Sequence, residues 1–175
     1  MTFSNFEQQV IDFVRIHQGW GPPITFALAF GESLAFISFL VPAWAALVAI
    51  GVLIVSADLS FWPYLVAGAL GAGTGDWLSY WIGLKAGPAV GHIWPLSRHP
   101  DLIPRGEAFV KRWGVAAIFI GRFFGPLRAS VPLVAGIFSM PNGLFQIANF
   151  TSAFVWAAVL LKLGDAGTRF FHWLW

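Results

Sequence analysis

The chain has 175 residues, of which 58% are hydrophobic and only 10% charged, with a formal net charge of +2. A soluble domain carries about a quarter charged residues, so too few charges are present to clothe a water-soluble fold, and the bilayer must act as solvent for much of the surface. The small net charge without a basic run argues against a nucleic-acid partner, and the absence of cysteine excludes disulfides, thiolate metal sites and thiol redox motifs.

The first twenty residues lack a basic stretch followed by an apolar core, so no cleavable signal peptide is expected. Residues 1–19 predict an amphipathic surface helix instead. Ser4 and Glu7 have capping-box spacing, and Phe6, Val10, Phe13 and Val14 recur at helical intervals against Glu7, Gln8, Asp12 and Arg15. Such a helix lies in the interface plane. The stretch Gly19 to Pro23 is expected to end it.

Residues 24–56 form an apolar block broken at Pro42. Its arms would reach about 27 and 21 Å as helix, where a comfortable crossing needs about 30 Å. With no polar turn between the arms, a hairpin that dips into the bilayer and returns fits best. Residues 61–84 predict a spanning helix, opened by Phe61-Trp62-Pro63, in which Gly68, Gly71, Gly73 and Gly75 permit close helix approach. The polar linker 85–112 follows, with Arg105 to Trp113 as a second candidate surface helix. Residues 114–138 form a second broken block, interrupted at Gly125-Pro126 and again at Pro132, and 143–165 predict the last spanning helix. Many of the ten tryptophans, among them Trp20, Trp62, Trp94 and Trp113, fall near the ends of apolar stretches, where indole rings favour the headgroup level.

The order surface helix, broken hairpin, spanning helix thus occurs twice. Gly31-Glu32 precedes Val41-Pro42 by the same interval that separates Gly121-Arg122 from Val131-Pro132. The expected fold is an all-α integral membrane protein, a single membrane domain over 1–175. It holds two opposed re-entrant broken-helix hairpins plus two spanning helices in an inverted repeat, with interfacial amphipathic helices. Paired broken segments point to a transporter's binding site. The basic linker favours a cytoplasmic position with both termini outside, although Lys162 and Arg169 pull the other way.

Four ionisable residues fall inside apolar blocks: Glu32, Asp76, Arg122 and Arg128. Unpartnered, they would oppose insertion by roughly 10 kcal/mol, at about 2.5–3.5 each. They must meet one another, water or a ligand. Between the two arginines, Gly125-Pro126 breaks the helix and exposes the N–H groups of the next helix start. Two guanidinium forks beside such an end suit a phosphate. The plainer reading is that Arg122 and Arg128 pair with Glu32 and Asp76. Glu32 suits either proton coupling or a permanent counter-ion, and Asp76 either lines the same cavity or makes a packing hydrogen bond with Tyr80 or nearby backbone.

These motifs resemble the DedA family, also described as the VTT or SNARE-associated membrane family, over roughly residues 20–165. The likeness centres on Phe119-Ile120-Gly121-Arg122-Phe123-Phe124-Gly125-Pro126-Leu127-Arg128, continuing to Pro132 and Ala135-Gly136, with both family arginines on Arg122 and Arg128. Gly75-Asp76 with Tyr80, Gly83 and Gly87 is similar to the central helix of the family, and Glu32 matches its first acidic residue. The family commonly has Pro-Gly-Asp where this chain has Pro42-Ala43-Trp44, so a second carboxylate is absent there. The resemblance implies a multi-pass protein of the bacterial inner membrane that flips or scrambles polyprenyl phosphate or phospholipid.

The leading expectation is therefore a flippase for an anionic lipid headgroup, with Arg122, Arg128, Gly125 and Pro126 at the substrate. Glu32 and Asp76 would couple protons or gate, with Pro42 and Pro132 as hairpin breaks. A membrane lipid phosphatase is one alternative, opposed by the scatter of His17, His92, His99 and His172 outside the apolar blocks. A small-ion or drug–proton exchanger is another. No cofactor or metal is implied, and the partners are membrane lipids, with a homodimer conceivable on the glycine-rich helix.

Overall fold

The computed structural model describes residues 8, 9, 12, 13, 15–34, 43–87, 89, 96–98 and 101–174. Among the described residues all regular structure is helical. A 3-10 turn at Gln18–Trp20 leads into α1 (Gly21–Ser33), then α2 (Ala43–Ser56) and α3 (Phe61–Ala86). A second 3-10 turn at Leu96–Arg98 precedes α4 (Leu102–Trp113), α5 (Ala116–Gly121), α6 (Gly125–Ile137) and α7 (Asn142–Leu174).

The helix ends follow from local chemistry. Gly21-Pro22-Pro23, expected to close the surface helix, opens α1. A proline in the first turn forfeits no hydrogen bond, because that N–H would lack an intrahelical acceptor in any case. The chain leaves α1 at Leu34, which is extended (φ −74°, ψ 126°). Pro42, the expected break of the first hairpin, lies outside the described residues, as does most of residues 1–14. Helices α1 and α2 hold 13 and 14 residues, or about 20 Å each, short of a 30 Å crossing.

In the second block the break falls at Arg122–Phe124, with Phe124 extended (φ −106°, ψ 105°), and Gly125-Pro126 start α6. The second expected interruption does not occur: α6 runs through Pro132. A helical proline loses the one bond to the carbonyl four residues back. Here Val131, Leu133, Val134 and Ala135 around it are 0–1% exposed, and the helix continues through the gap within that packed core.

Helices α2 and α6 end in the same way. Asp58 and Ser139 take left-handed φ values of 53° and 52°. Leu59 N–H then donates to the Ile54 carbonyl at 2.8 Å, and Met140 N–H to that of Ala135 at 2.9 Å. This is the reversal that satisfies a helix's last carbonyls. From each left-handed residue the next helix begins three positions on, at Phe61 and Asn142.

The segment α4 is the expected amphipathic piece. Its exposed side carries the pairs Arg105–Asp101 (3.2 Å) and Lys111–Glu107 (2.6 Å), while buried Gly106 and Val110 face α6. Helix α7 extends well past the expected 143–165. Its stretch Asn142–Gly167, mean hydropathy 1.7, is the one helix among the described residues long and apolar enough to cross a membrane. Outward-facing Trp62, Val66, Leu70, Trp77 and Trp81 on α3, with Ile147, Phe154, Val155 and Leu163 on α7, are exposed. Contiguous apolar surface of this kind suits lipid contact.

Glycines let helices pack tightly at three crossings, the first being α1 on α3, where a side chain at Gly71 would strike the Phe26 carbonyl. Where α2 meets α7, a side chain at Gly51 would strike the Leu161 carbonyl, and one at Gly164 the Val48 carbonyl. Where α3 meets α6, Gly83 faces the Leu133 carbonyl and Gly136 the Tyr80 carbonyl. One apolar cluster gathers Ala29, Leu47, Tyr64, Ala72, Ala153, Trp156 and Leu161. A second gathers Tyr80, Val110, Ile118, Val134, Phe145 and Ala148. Between them lie Asp76 on α3, after Ala72 and before Tyr80, and Asn149 and Ser152 on α7, between Ala148 and Ala153.

Candidate functional site

All four embedded charges fall in that intermediate layer. Glu32 is 5% exposed, Asp76 2%, Arg122 3% and Arg128 6%. Glu32 sits in the last turn of α1, Asp76 within α3, Arg122 caps α5, and Arg128 lies in the first turn of α6. The break at Arg122–Phe124 is what separates the two arginines, so that they approach from different directions.

They form two ion pairs. Arg122 Nη2 donates to Asp76 Oδ2 at 2.5 Å, to Asn149 Oδ1 at 2.6 Å and to the Asn149 carbonyl at 3.2 Å, while its Nε donates to Ser152 Oγ at 2.9 Å. Asn149 is itself fixed, its Nδ2 donating to the Gly73 carbonyl at 2.8 Å. Arg128 Nη1 donates to Glu32 Oε1 and Nη2 to Ser33 Oγ at 3.0 Å. The Arg128 guanidinium lies over the Trp156 ring, 4.1 Å from its centroid.

The pairs are neighbours. Ser33, beside Glu32, packs against Gly75, beside Asp76, so closely that a Cβ on Gly75 would fall 2.8 Å from Ser33 Cβ. Ser152 and Trp156 stand one turn apart on α7. The structure brings the four groups together as two neighbouring ion pairs in a closed arrangement. The plainer pairing weighed for the arginines is the one present, as Arg122 with Asp76 and Arg128 with Glu32.

Neither pair is a bidentate fork. Each uses one carboxylate oxygen, and Glu32 Oε2, Asp76 Oδ1, Arg122 Nη1 and Arg128 Nε are buried with no hydrogen-bond partner among the described residues. A buried polar atom without a partner costs about 1–3 kcal/mol, so such atoms favour a water or ligand that supplies the missing bond. Arginine and carboxylate can satisfy each other through two parallel bonds. This site forgoes that arrangement.

Other expectations resolve individually. Asp76 does not bond Tyr80, whose hydroxyl donates to the Met140 carbonyl at 2.6 Å. Trp44, at the position of the missing carboxylate, is 56% exposed on α2 and outside the site. Gly125 and Pro126 form the start of α6 between the arginines. Sequence reasoning missed Ser33, Asn149, Ser152 and Trp156. The signal was available for three of them: Asn149, Ser152 and Trp156 follow i, i+3, i+7 spacing, one face of a helix, inside a span whose other residues are mostly apolar.

Comparison with known proteins agrees with the sequence resemblance. The VTT domain family model matches residues 41–166. The chain is 35% identical over 130 residues to the inner membrane protein YabI of Escherichia coli strain K12, covering 74% of this chain and 51% of that protein. It is 36% identical over 171 residues to an uncharacterized membrane protein of Synechocystis, covering 93% and 73%. An uncharacterized membrane protein of Mycobacterium tuberculosis is 32% identical over 162 residues, covering 87% and 74%. The chain spans about half the length of YabI and of the Buchnera membrane proteins it matches. No solved structure matches.

Proposed function

Because the chain belongs to the VTT-domain family, the DedA membrane proteins, we propose that it carries an anionic lipid headgroup across the bilayer, with Arg122 and Arg128 receiving the headgroup. The observation that carries this reading is the incomplete pairing, among the described residues, of four buried charges gathered in one layer beside Asn149 and Ser152. A purely structural pair is stabilised by saturating its bonds, whereas one with spare donors exchanges partners at lower cost. The non-bridging oxygens of a phosphate can accept from the spare Arg122 Nη1 and Arg128 Nε donors.

Charge balance then assigns the carboxyls. Two guanidinium groups and two carboxylates sum to zero, so an arriving anion leaves the layer negative unless a carboxyl takes up a proton. Burying an uncompensated charge is far more costly than neutralising it. Glu32, displaced from Arg128, is the acceptor in this reading, and Asp76 holds Arg122 until the headgroup arrives. The lipid leaves chemically unchanged.

The helices that carry the site are held in two tightly packed groups. Glycine contacts against carbonyls join α1, α3 and α6 through Gly71, Gly75, Gly83 and Gly136, and join α2 to α7 through Gly51 and Gly164. Where α3 meets α7 the contacts are side chains, with Phe150 at Gly73 and Ala157 at Gly68. The matching turns after α2 and α6 support an inverted repeat with hairpins entering from opposite leaflets. The name of the Escherichia coli relative, an inner membrane protein, supports a place in the bacterial plasma membrane.

The test is reconstitution into vesicles carrying a fluorescent phosphatidic acid or polyprenyl phosphate, with leaflet position read by an impermeant quencher. Protein-containing vesicles are expected to exchange at least one of these lipids faster than empty ones. Movement of both at the protein-free rate overturns the proposal.

A further inference from the structure

We infer that the uncharged face Asn149–Ser152–Trp156 of α7 positions both arginines for the headgroup, with Trp156 setting the plane of Arg128. This rests on the transport reading above and adds residues to it. The three side chains are buried, at 0%, 0% and 5% exposure. Together they touch both guanidinium groups: Asn149 and Ser152 bond Arg122, and Trp156 covers Arg128.

Being neutral is the point. A headgroup that binds the arginines must displace Asp76 or Glu32, and an arginine held by its carboxylate alone would lose its orientation at that moment. Amide, hydroxyl and indole contacts do not depend on the carboxylates and persist through the exchange. Guanidinium donors lie in the plane of the group, so an oxyanion must approach edge-on. With one face of Arg128 against the ring, its edge stays directed at Glu32, Ser33 and any oxyanion replacing Glu32. Asn149 does the equivalent for Arg122, anchored in turn by the Gly73 carbonyl.

Short-chain phosphatidic acid titrated calorimetrically into the purified protein tests this, comparing wild type, Trp156→Phe and Trp156→Leu. Because the ring contact is present with and without the headgroup, its loss acts through the freedom Arg128 regains, and re-ordering that side chain on binding corresponds to about 2–12-fold in affinity. Leucine keeps apolar bulk without a ring face, so Trp156→Leu is expected to weaken binding about 5–10-fold, and Trp156→Phe to stay within about 2-fold. In vesicles, the KM for the labelled lipid should rise in the same order, with kcat changed less than about 2-fold, as for lost binding felt equally in ground and transition states. Equal affinity of wild type and Trp156→Leu overturns the positioning role and leaves the headgroup reading intact. So does equal loss in both variants, which is the mark of general packing. A wild type that does not bind phosphatidic acid overturns the headgroup reading for this lipid class, and the positioning role with it.

Discussion

Replacing Asp76 with asparagine removes one negative charge while nearly preserving shape, and so isolates the worth of the inner ion pair. Arg122 is 3% exposed and Asp76 2%, so water cannot enter to screen the charge left behind. Breaking a buried pair by removing one partner costs about 3–5 kcal/mol. Arg122 keeps Asn149 Oδ1, the Asn149 carbonyl and Ser152 Oγ, and asparagine still offers an acceptor oxygen. The loss therefore falls at the low end, about 3 kcal/mol. For a chain of this size that corresponds to a Tm lower by about 6–12 °C. The double variant Asp76→Asn/Arg122→Gln removes both charges and should recover much of the loss, since a neutral replacement of a buried pair is close to balanced. Heating detergent-purified protein and measuring the surviving monodisperse fraction gives each Tm. An Asp76→Asn protein within about 2 °C of wild type, or a double variant as unstable as the sum of the singles, would refute the claim that this pair is desolvated and mutually dependent.

Arg122→Lys and Arg128→Lys keep charge but lose the planar fork, so each should lose most headgroup transport in the vesicle assay; full transport in both would sink the arginine clamp. Glu32→Gln removes the proposed proton acceptor, so the pH profile of transport should flatten relative to wild type. An unchanged profile would assign the proton elsewhere. Gly136→Ala sets a Cβ against the Tyr80 carbonyl, and forcing α3 and α6 apart should destabilise by about 1–3 kcal/mol, read as a fall in Tm. Gly167→Ala meets open space on α7 and should instead stabilise by about 0.5–1 kcal/mol.

Much of the fold was legible because it depends on neighbours in the chain. The helix over 61–84 is found as Phe61–Ala86, and the surface helix over Arg105 to Trp113 as Leu102–Trp113, since apolar periodicity and capping glycines are local properties. The hairpin breaks were less legible. Glycine and proline mark where a helix can stop, yet whether it does depends on burial. Pro132 is carried through α6 by its buried neighbours, whereas Phe124 turns the chain just before Gly125-Pro126.

From sequence alone came the medium and the inventory: too few charges for water, four charges too costly to stand alone in lipid, and the arginine motif around a helix start. Those follow from residue type, which no folding alters. Which arginine takes which acid was decided by tertiary structure, across separations of 46 and 96 residues. So were the recruitment of Asn149, Ser152 and Trp156 and the exclusion of Trp44. Helix crossing and rotation select partners, and both are properties of packed pairs rather than of any single stretch.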